Sequence, residues 1–400
     1  MNITIRPSVA KGTVFAPPSK SYAHRMLICA ALSGEETSVY KIAKSEDMYA
    51  TLDCIEALGL EYTYNRGRVT LKRSENKIFD KRIFRCRESG STLRFFIPIA
   101  LSLGGVCEFW GAERLISRGI SVYEEICKDQ NIKVTYSSNK IIFDGALSAG
   151  DFKIRGDISS QFISGLFFAL PLLDGDSTVK ITTPLESRPY VDITIDTLSR
   201  FGVKIQEKEN NEFYIKGNQK YIPNKARVEG DFSNAAFLDA FNILGGDVSV
   251  KGLKKDSLQG DRVYIDLFEK IEEGNVYADI SACPDLAPIL FALAGVKNGG
   301  YFEGTRRLRI KESDRATAMA EELKKFGIEL VVKENSVEVK NTHFHVPNEI
   351  LNGHNDHRIV MALCVIATLT GATISGAEAV KKSYPNFFDV IRRLGIEVTR

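Results

Sequence analysis

The chain repeats one helix-and-strand pattern about six times, and this repetition restricts the folds that are open to it. In each copy a charged amphipathic helix, usually ending in glycine, is followed by one or two strands. These charged helices are recognised from Thr51, Val122, Thr194, Tyr264, Ala318 and Phe388. Glycine commonly ends a helix because it adopts the left-handed backbone conformation easily. Gly59 and Gly202 end helices two copies apart and are separated by 143 residues, so one copy has roughly 70 residues.

Each copy also contains a second helix that is apolar nearly all round and follows polar or charged residues. These openings are Ser19-Lys20-Ser21, Ser89-Gly90-Ser91, Ser159-Ser160-Gln161, Asp231-Phe232-Ser233-Asn234, Pro284-Asp285 and Asn355-Asp356-His357-Arg358. A helix that is apolar on all sides is normally buried. We therefore predict that the apolar helices lie inside each group of repeats and the charged helices outside.

The phasing of the copies predicts two domains. The last copy stops one strand short at residue 400, and the chain begins with a lone strand at residues 2–6. We predict that this N-terminal strand completes the last copy. One domain would contain residues 1–17 and 229–400, the other residues 18–228, each with three copies of an α/β (α+β) unit in mixed sheets covered by helices. Chance similarity between ordinary helix–strand pairs is the alternative.

Net charge and cysteine usage limit the possible partners and the compartment. The formal net charge is +2, from 53 basic and 51 acidic residues, so any anion site has to be local rather than a general basic surface. The seven cysteines are scattered singly, as in proteins of a reducing cytosol. No signal-peptide pattern and no apolar run of membrane-spanning length occurs. We expect a cytoplasmic protein without nucleic-acid or membrane partners.

One basic stretch, G-T-R-R-L-R-I-K-E-S-D-R, places positive charge where local structure does not favour it. Arg307, Arg309 and Lys311 alternate with aliphatic residues, which predicts a strand with three cations on one face. Such a row repels itself. Asp314 then predicts a helix N-cap, and Arg315 in the first turn would oppose the helix dipole. The stretch predicts a bound anion, with a solvated basic edge strand as the alternative.

A cation in the first two turns recurs in the related helices. The residues concerned are Lys20, Arg25, Arg94, Arg315 and Arg358. Helix N-termini attract anions through their free N–H groups. Arginine binds carboxylate or phosphate through two parallel hydrogen bonds, whereas lysine acts as a point charge. Gly90 would allow close approach of a ligand to the backbone. Together these features predict a site for multiply charged anions.

The sequence contains no convincing signal for a metal or a nucleotide cofactor. His343-x-His345 and His354-x-x-His357 have no cysteine or carboxylate at metal-ligand spacing. No G-x-x-x-x-G-K-[ST], convincing G-x-G-x-x-G or G-x-S-x-G motif is present. We expect neither a metal nor a cofactor.

Eight short motifs identify a family that the chain resembles over essentially its whole length. They are P-S-K-S-Y-A-H-R, E-S-G-S-T-L-R, S-S-Q-F, S-R-P-Y, P-D-L-A, R-L-R-I-K-E-S-D-R, N-D-H-R and K-S-Y-P-N-F-F. They occur in the order seen in the 5-enolpyruvylshikimate-3-phosphate (EPSP) synthase family. The resemblance implies an enolpyruvyl-transferase-like fold of six βαβαββ-type repeats, three per domain, with the active site in the interdomain cleft.

The resemblance also implies a reaction and its participants. The enolpyruvyl group of phosphoenolpyruvate would be added to the 5-hydroxyl of shikimate 3-phosphate, and phosphate would leave from a tetrahedral intermediate. No cofactor takes part, the partners are these two small molecules, and a monomer is expected. Both substrates carry several negative charges, which fits the cations at the helix starts.

Site residues follow from the resemblance position by position. Shikimate 3-phosphate would be bound by Lys20, Ser21, Arg25, Ser159, Ser160, Gln161, Ser187, Tyr190, Asp285 and Lys311. Phosphoenolpyruvate would be bound by Lys20, Gly90, Arg118, Gln161, Arg315, Arg358 and Lys382. Asp285 would take the hydroxyl proton and Glu312 would handle the methylene proton, with Lys20 and His357 assisting.

Four positions depart from the family pattern. Glu88 replaces an asparagine, Arg307 stands where many members have asparagine, Gly119 follows Arg118 where proline is usual, and Asn386 replaces an aspartate.

Two other functions stay open at this point. The sister enzyme that uses UDP-N-acetylglucosamine would share the fold, but its loop carries a reactive cysteine. Here the loop near Arg118 has none, and Cys107 and Cys127 lie in the flanking strand and helix. A non-catalytic anion- or RNA-binding repeat protein would spread its basic residues over an open surface among aromatic residues. In this chain they are concentrated at helix starts, together with Asp285 and Glu312.

Overall fold

The computed structural model describes residues 1–74, 81–209, 211–340 and 343–400, which form two units. The split unit contains Met1–Ser19 and Gly230–Arg400, and the continuous unit contains Lys20–Glu229. The domain limits expected from the sequence, residues 1–17 with 229–400 and residues 18–228, remain a prediction. Among the described helices, none has the length and apolar character needed to cross a membrane.

Short strands and helices alternate along both units. The strands are β1 Ile3–Ile5, β2 Lys11–Phe15, β3 Thr37–Tyr40, β4 Leu60–Asn65, β5 Arg68–Arg73, β6 Arg82–Arg87, β7 Val106–Gly111, β8 Lys133–Tyr136, β9 Lys140–Asp144, β10 Asp151–Ile154, β11 Ser177–Ile181, β12 Ile205–Lys208, β13 Glu212–Ile215, β14 Ala226–Arg227, β15 Asp247–Lys251, β16 Val276–Asp279, β17 Gly300–Glu303, β18 Glu329–Val332, β19 Ser336–Lys340, β20 Leu351–Asn352, β21 Ala372–Ser375 and β22 Val398–Thr399. The helices are α1 Lys20–Leu32, α2 Glu46–Ala57, α3 Gly90–Ser102, α4 Glu113–Ser117, α5 Ser121–Asp129, α6 Ser160–Ala169, α7 Arg188–Arg200, α8 Phe232–Ile243, α9 Tyr264–Glu273, α10 Ala287–Val296, α11 Arg315–Lys324, α12 His357–Thr370 and α13 Phe387–Arg393.

One sheet topology recurs through the described residues. The four-stranded sheets have the orders β14-β3-β5-β4, β6-β7-β9-β8, β10-β11-β13-β12, β16-β17-β19-β18 and β20-β21-β1-β22. In each sheet the first pair is parallel and the other two pairs are antiparallel. This is the βαβαββ arrangement expected from the resemblance. The sixth copy has only the parallel pair β2 and β15, because the chain passes from α9 directly into β16, the first strand of the next copy.

Two sheets are completed by strands that are distant in sequence. The N-terminal strand β1 lies between β21 and β22, and its Thr4 faces Thr373 on one side and Thr399 on the other. In the continuous unit β14, the last strand, pairs with β3 at the beginning. Strand β14 was not predicted from the sequence.

The apolar helices form the two hydrophobic cores. In the continuous unit the core includes the inward faces of α1, α3 and α6, and in the split unit those of α8, α10 and α12. Helix α10 is made of apolar residues and is buried along nearly all its length, as predicted. Burying each large aliphatic side chain stabilises the fold by about 1.5–3 kcal/mol. The cores therefore fix the helices whose N-termini carry the polar openings.

Most of the predicted openings cap helices. Ser89, Ser159, Asp231 and Asp356 each accept a hydrogen bond from a backbone N–H in the first turn of α3, α6, α8 and α12. The capping oxygen replaces a partner that the first N–H groups of a helix lack. Asp285 instead lies two residues before α10, which begins without a side-chain cap.

The strand predicted across residues 307–311 is wrong. Strand β17 ends at Glu303, Gly304 turns the chain at φ 73°, and Arg306–Ile310 forms a short 3-10 helix. Alternating cations and aliphatic residues cannot distinguish one 3-10 turn from a strand over so few residues. As a result Arg307 is buried beside Leu308, while Arg309 is exposed and donates to the Lys333 carbonyl.

Candidate active site

Arg315 is surrounded by carboxylates of the split unit. Asp314 accepts a hydrogen bond from the Thr317 N–H at 3.2 Å, which confirms the predicted N-cap of α11 and places Arg315 in its first turn. The Arg315 side chain is 1% exposed. Its Nε lies 2.8 Å from Asp356, its Nη1 2.8 Å from Asp285 and its Nη2 2.8 Å from Glu312. Each nitrogen of the guanidinium therefore faces a carboxylate.

These carboxylates keep Arg315 charged. Burial alone would lower the pKa of its guanidinium, but the negative charges of Asp356, Glu312 and Asp285 raise that pKa above its usual value. The positive charge in the first turn of α11, which indicated a bound anion, is thus met by the chain's own acids.

Asp285 connects three cations. Its Oδ1 accepts from Arg315 and lies 3.5 Å from Lys311 Nζ, and its Oδ2 accepts from Arg358 Nη2 at 2.8 Å. Its side chain is 19% exposed. Asp285 is therefore a carboxylate that solvent or a ligand can reach although it is held by buried arginines.

Lys311 has an ammonium group that loses its proton easily. It follows the 3-10 turn, and its side chain is 23% exposed. Burial, with the neighbouring charges of Arg315 and Arg307, lowers its pKa to about 8 against the opposing effect of Asp285 and Glu312. Lys311 is consequently charged at neutral pH and largely uncharged above pH 9.

Asp356 has two structural roles, the cap of α12 and a contact with Arg315. It is fully buried, its Oδ1 accepts from the Arg358 N–H at 2.9 Å as the cap of α12, and its Oδ2 binds Arg315 and the Ser313 hydroxyl. One carboxylate thereby fixes the start of α12 relative to the start of α11. The N-D-H-R motif indicated the cap but not the contact with Arg315.

The remaining predicted residues of the split unit adjoin this network. His357 is 1% exposed, with Nδ1 4.0 Å from Asp356. Lys382 donates to the Asn355 carbonyl at 2.6 Å. The structure therefore brings together or places side by side Asp285, Lys311, Glu312, Arg315, His357, Arg358 and Lys382.

In the continuous unit Arg25 is buried among neutral oxygens. It donates to the Thr194 hydroxyl at 2.7 Å, the Ser21 carbonyl at 2.8 Å, the Tyr190 carbonyl at 3.1 Å and the Ser164 hydroxyl at 3.3 Å. Burial lowers its pKa to about 10. These contacts hold α1 against α6 and α7 but leave the charge of Arg25 uncompensated by them.

A second group surrounds Gly90 at the start of α3. A Cβ atom at Gly90 would lie 3.0 Å from Nη1 of both Arg94 and Arg118. Arg94 donates to Gln161 Oε1 at 2.9 Å, and Gln161 Nε2 donates to Ser91 at 2.9 Å. Three of the residues expected to bind phosphoenolpyruvate, Gly90, Arg118 and Gln161, therefore lie in one group with Arg94, to which no ligand was assigned from the sequence.

Lys20 is paired with an acid. Its Nζ lies 2.7 Å from Asp47 Oδ2, in the first turn of α2. Asp47 was not predicted as a site residue, although it lies in the first turn of α2, where the helix dipole favours an acid.

The other expected shikimate 3-phosphate residues lie at helix starts. Ser159 caps α6, and Ser160 is its first residue. Ser187 precedes α7 with φ 54°, a left-handed conformation that is uncommon for serine. Tyr190 lies in the first turn of α7, where its carbonyl accepts from Arg25.

Three departures from the family pattern have a structural context. Gly119 adopts φ 70°, which a proline cannot adopt. Arg307 donates to the Ser281 carbonyl and lies close enough to Lys311 to lower its pKa. Asn386 precedes α13 without a side-chain capping bond. Glu88 is exposed, and nothing in the structure explains its replacement of asparagine.

One described cluster has the composition of a metal site. Glu321, Glu322 and His354 offer ligand atoms within 4.8 Å of one another. However, Glu322 already accepts from Lys325 Nζ at 2.9 Å, the Asn352 N–H at 2.8 Å and His354 Nε2 at 3.0 Å. Glu322 is therefore already bound by a lysine ammonium group, a backbone N–H and an imidazole.

Comparison with known proteins gives consistent results. A sequence model of the family described as EPSP synthase (3-phosphoshikimate 1-carboxyvinyltransferase) matches residues 6–391. The 3-phosphoshikimate 1-carboxyvinyltransferase of Clostridium kluyveri is 42% identical, with 99% of this chain and 98% of the relative covered. That of Clostridium acetobutylicum is 41% identical, with 99% and 98% covered.

Solved structures with the same fold belong to related enzymes. An EPSP synthase of Acinetobacter baumannii superposes with a TM-score of 0.79 at 21% identity over 100% of both chains. The enolpyruvyl transferase NikO of Streptomyces tendae gives 0.79 at 13% identity over 100% of this chain and 98% of that one. At these identities the structures establish the fold, and the predicted fold class is confirmed.

We predict that Asp356→Asn lowers the free energy of unfolding by about 1–3 kcal/mol, because a buried charged contact to Arg315 is lost. The matched control is Asp314→Asn, which changes the cap of α11 and should lower it by less than about 0.5 kcal/mol, since asparagine caps as well as aspartate. Urea unfolding measures both. Equal losses in the two variants would contradict the role assigned to Asp356.

Proposed function

The chain belongs to the EPSP synthase family, and we propose that it transfers the enolpyruvyl group of phosphoenolpyruvate to the 5-hydroxyl of shikimate 3-phosphate. Phosphate is the second product. The proposal includes a cytoplasmic location, a monomeric state and no partner beyond the two small-molecule substrates.

The observation that carries this proposal is the pair of carboxylates, Asp285 and Glu312, on one buried arginine. In the addition step the hydroxyl oxygen bonds to the substituted carbon of phosphoenolpyruvate, the hydroxyl loses its proton and the methylene carbon gains one. In the elimination step the former methylene carbon loses a proton, and the bond between the substituted carbon and the phosphate oxygen breaks. Both steps need a base and an acid held close to fixed positive charge.

We assign roles to the carboxylates and cations accordingly. Asp285 accepts the proton of the 5-hydroxyl, and Glu312 exchanges the methylene proton, assisted by Lys20 and His357. The phosphoenolpyruvate anion is bound by Lys20, Gly90, Arg118, Gln161, Arg315, Arg358 and Lys382. Shikimate 3-phosphate is bound by Lys20, Ser21, Arg25, Ser159, Ser160, Gln161, Ser187, Tyr190, Asp285 and Lys311.

Buried thiols argue against the sister reaction with UDP-N-acetylglucosamine. Cys107 in β7 and Cys127 in α5 are the cysteines that flank Arg118 in sequence, and burial raises the pKa of each thiol to about 12. A reactive cysteine needs an accessible thiolate. The RNA-binding alternative is disfavoured because Arg315 and Arg358 are buried against carboxylates rather than spread over an open surface.

Phosphate release tests the proposal directly. With phosphoenolpyruvate and shikimate 3-phosphate together we expect continuous release of phosphate, and with either one omitted we expect none. Release that requires UDP-N-acetylglucosamine instead of shikimate 3-phosphate would show the sister activity. Absence of release with both acceptors would contradict the proposed function.

We predict that Asp285→Asn and Glu312→Gln each reduce turnover by about 100-fold or more, the usual contribution of a general acid or base. Asparagine and glutamine keep the size of the side chain and remove the proton acceptor. Glu321→Gln is the matched control, because Glu321 is an acid with a 59% exposed side chain on α11. Steady-state rates at saturating substrates measure the effect. Near-normal turnover in Asp285→Asn and Glu312→Gln would refute their assignment.

We predict that kcat/KM for shikimate 3-phosphate falls as the pH rises through about 8, where Lys311 loses its charge. This ratio reports ionisations of the free enzyme. Burial favours the neutral amine, so the ammonium group is fully present only below this pH. Lys311→Arg keeps a positive charge and should move the decline to higher pH. Identical pH profiles for the two proteins would exclude Lys311 as the group responsible.

A further inference from the structure

A chain of hydrogen bonds inside the continuous unit joins the helices α1, α2 and α3. His24 Nδ1 on α1 lies 2.6 Å from the Thr51 hydroxyl on α2, which lies 2.9 Å from the Thr92 hydroxyl on α3. The Thr92 hydroxyl donates to Ser89 Oγ at 2.8 Å, and Ser89 Oγ also caps α3 by accepting from the Thr92 N–H. All four residues are 2% exposed or less. We call His24, Thr51, Thr92 and Ser89 the hydroxyl chain.

The direction of each hydrogen bond in the hydroxyl chain follows from counting protons. A threonine hydroxyl has one proton to donate. Thr92 donates its proton to Ser89, so Thr51 has to donate to Thr92. Thr51 then has no proton left for His24, and Nδ1 of the imidazole must be the donor. His24 is therefore held as the tautomer with its proton on Nδ1.

The other side of the imidazole is consistent with a neutral ring. Within the described residues, His24 Nε2 is buried without a hydrogen-bond partner. Burial, and then the charges of Lys20 and Arg25, keep the pKa of His24 well below its ordinary value. A charged imidazole would have no acceptor at Nε2 and would face two cations. The imidazole ring consequently donates one proton, from Nδ1, at the end of the hydroxyl chain.

The hydroxyl chain connects helices whose starts hold the proposed phosphoenolpyruvate contacts. Helix α1 begins with Lys20, whose partner Asp47 lies in the first turn of α2. Helix α3 begins with Gly90, next to the guanidinium groups of Arg94 and Arg118. The hydrogen bonds of Arg25 to α6 and α7 do not involve the hydroxyl chain. Loss of the hydroxyl chain would therefore act mainly on the spacing between Lys20 and Gly90.

We propose that the hydroxyl chain is a positioning device that sets Lys20 and Gly90 at the distance needed to bind phosphoenolpyruvate. Thr51 is its central positioning residue, because it is the link between the helix of Lys20 and the helix of Gly90. The proposal rests on the proposed function in that it uses phosphoenolpyruvate as the ligand. Lys20 belongs to both proposed binding sets, but of the residues on α3 only Gly90 is a proposed contact, and it is assigned to phosphoenolpyruvate alone. A change in the distance between Lys20 and Gly90 should therefore act on the binding of phosphoenolpyruvate.

Replacing Thr51 tests this proposal with an isosteric change. Thr51→Val removes the hydroxyl and keeps the shape, so we expect KM for phosphoenolpyruvate to rise by about threefold to tenfold, the equivalent of one hydrogen bond. KM for shikimate 3-phosphate should change by less than about twofold. Thr51→Ser keeps the hydroxyl and should restore KM for phosphoenolpyruvate.

Thr197→Val is the matched control. Thr197 is also fully buried on a helix, but its hydroxyl donates to the Ile193 carbonyl within α7 and takes no part in the hydroxyl chain. We expect it to lower the thermal midpoint as Thr51→Val does while leaving both KM values near those of the unchanged protein. Equal KM values in Thr51→Val and Thr197→Val, or a rise in Thr51→Val that Thr51→Ser shares, would overturn the proposal.

A second measurement does not depend on turnover or on the folding of a valine variant. Nitrogen NMR of the unchanged protein, with the His24 signals assigned by comparison with His24→Asn, reports which ring nitrogen carries the proton. We expect a protonated Nδ1 and an unprotonated Nε2 from pH 6 to pH 8. A proton on Nε2 would overturn the proposal. Absence of turnover in the unchanged protein would refute the proposed function but would leave this result unaffected.

Discussion

A buried guanidinium group has to be met by anions, and at Arg315 this requirement determines the arrangement of the split unit. The three carboxylates on Arg315 come from the segment before α10, the segment before α11 and the cap of α12. A buried charge that lost all its partners would be left without compensation, which is strongly destabilising. The three segments are therefore fixed to a common point, although they are far apart in sequence. Hydrophobic packing positions helices α10 and α12. The ion pairs of Arg315 then fix the residues that precede these helices.

Arg25 in the continuous unit is buried in an environment of the opposite kind, in which its hydrogen-bond partners are neutral. Its hydrogen bonds go to hydroxyl and carbonyl oxygens, so its guanidinium is held in place without the negative charge that would balance it. Burial accordingly lowers the pKa of Arg25, whereas the carboxylates raise that of Arg315. A phosphate group is suited to the first environment, since it supplies the absent charge. At Arg315 a phosphate group has to compete with the carboxylates that already bind the guanidinium. This difference agrees with the proposal that Arg25 binds shikimate 3-phosphate. It also agrees with the proposal that Arg315 lies beside Asp285 and Glu312, the carboxylates assigned to proton transfer.

Local sequence rules predicted the repeats, the buried helices and most of the helix caps, because these depend on residues a few positions apart. The family resemblance supplied the site residues. What could not be predicted depends on contacts between distant residues. Asp356 was recognisable as a cap, but its contact with Arg315 joins residues that are 41 positions apart in sequence. Strand β14 has two residues and is defined only by pairing with β3. The 3-10 turn at Arg306–Ile310 was mistaken for a strand because alternation over five residues has no unique interpretation.

The contacts of Asp285 also explain how one carboxylate can be both a structural partner and a base. In the structure Asp285 is shared by Arg315, Arg358 and Lys311. A substrate anion that binds Arg315 and Arg358 draws on the same N–H groups and weakens their hold on Asp285. With fewer donors bound to it, the carboxylate would have an oxygen available for the 5-hydroxyl proton, as its proposed role requires. On this proposal, binding of the anionic substrate releases Asp285 for its role as the base, and without substrate the same carboxylate connects Arg315, Arg358 and Lys311.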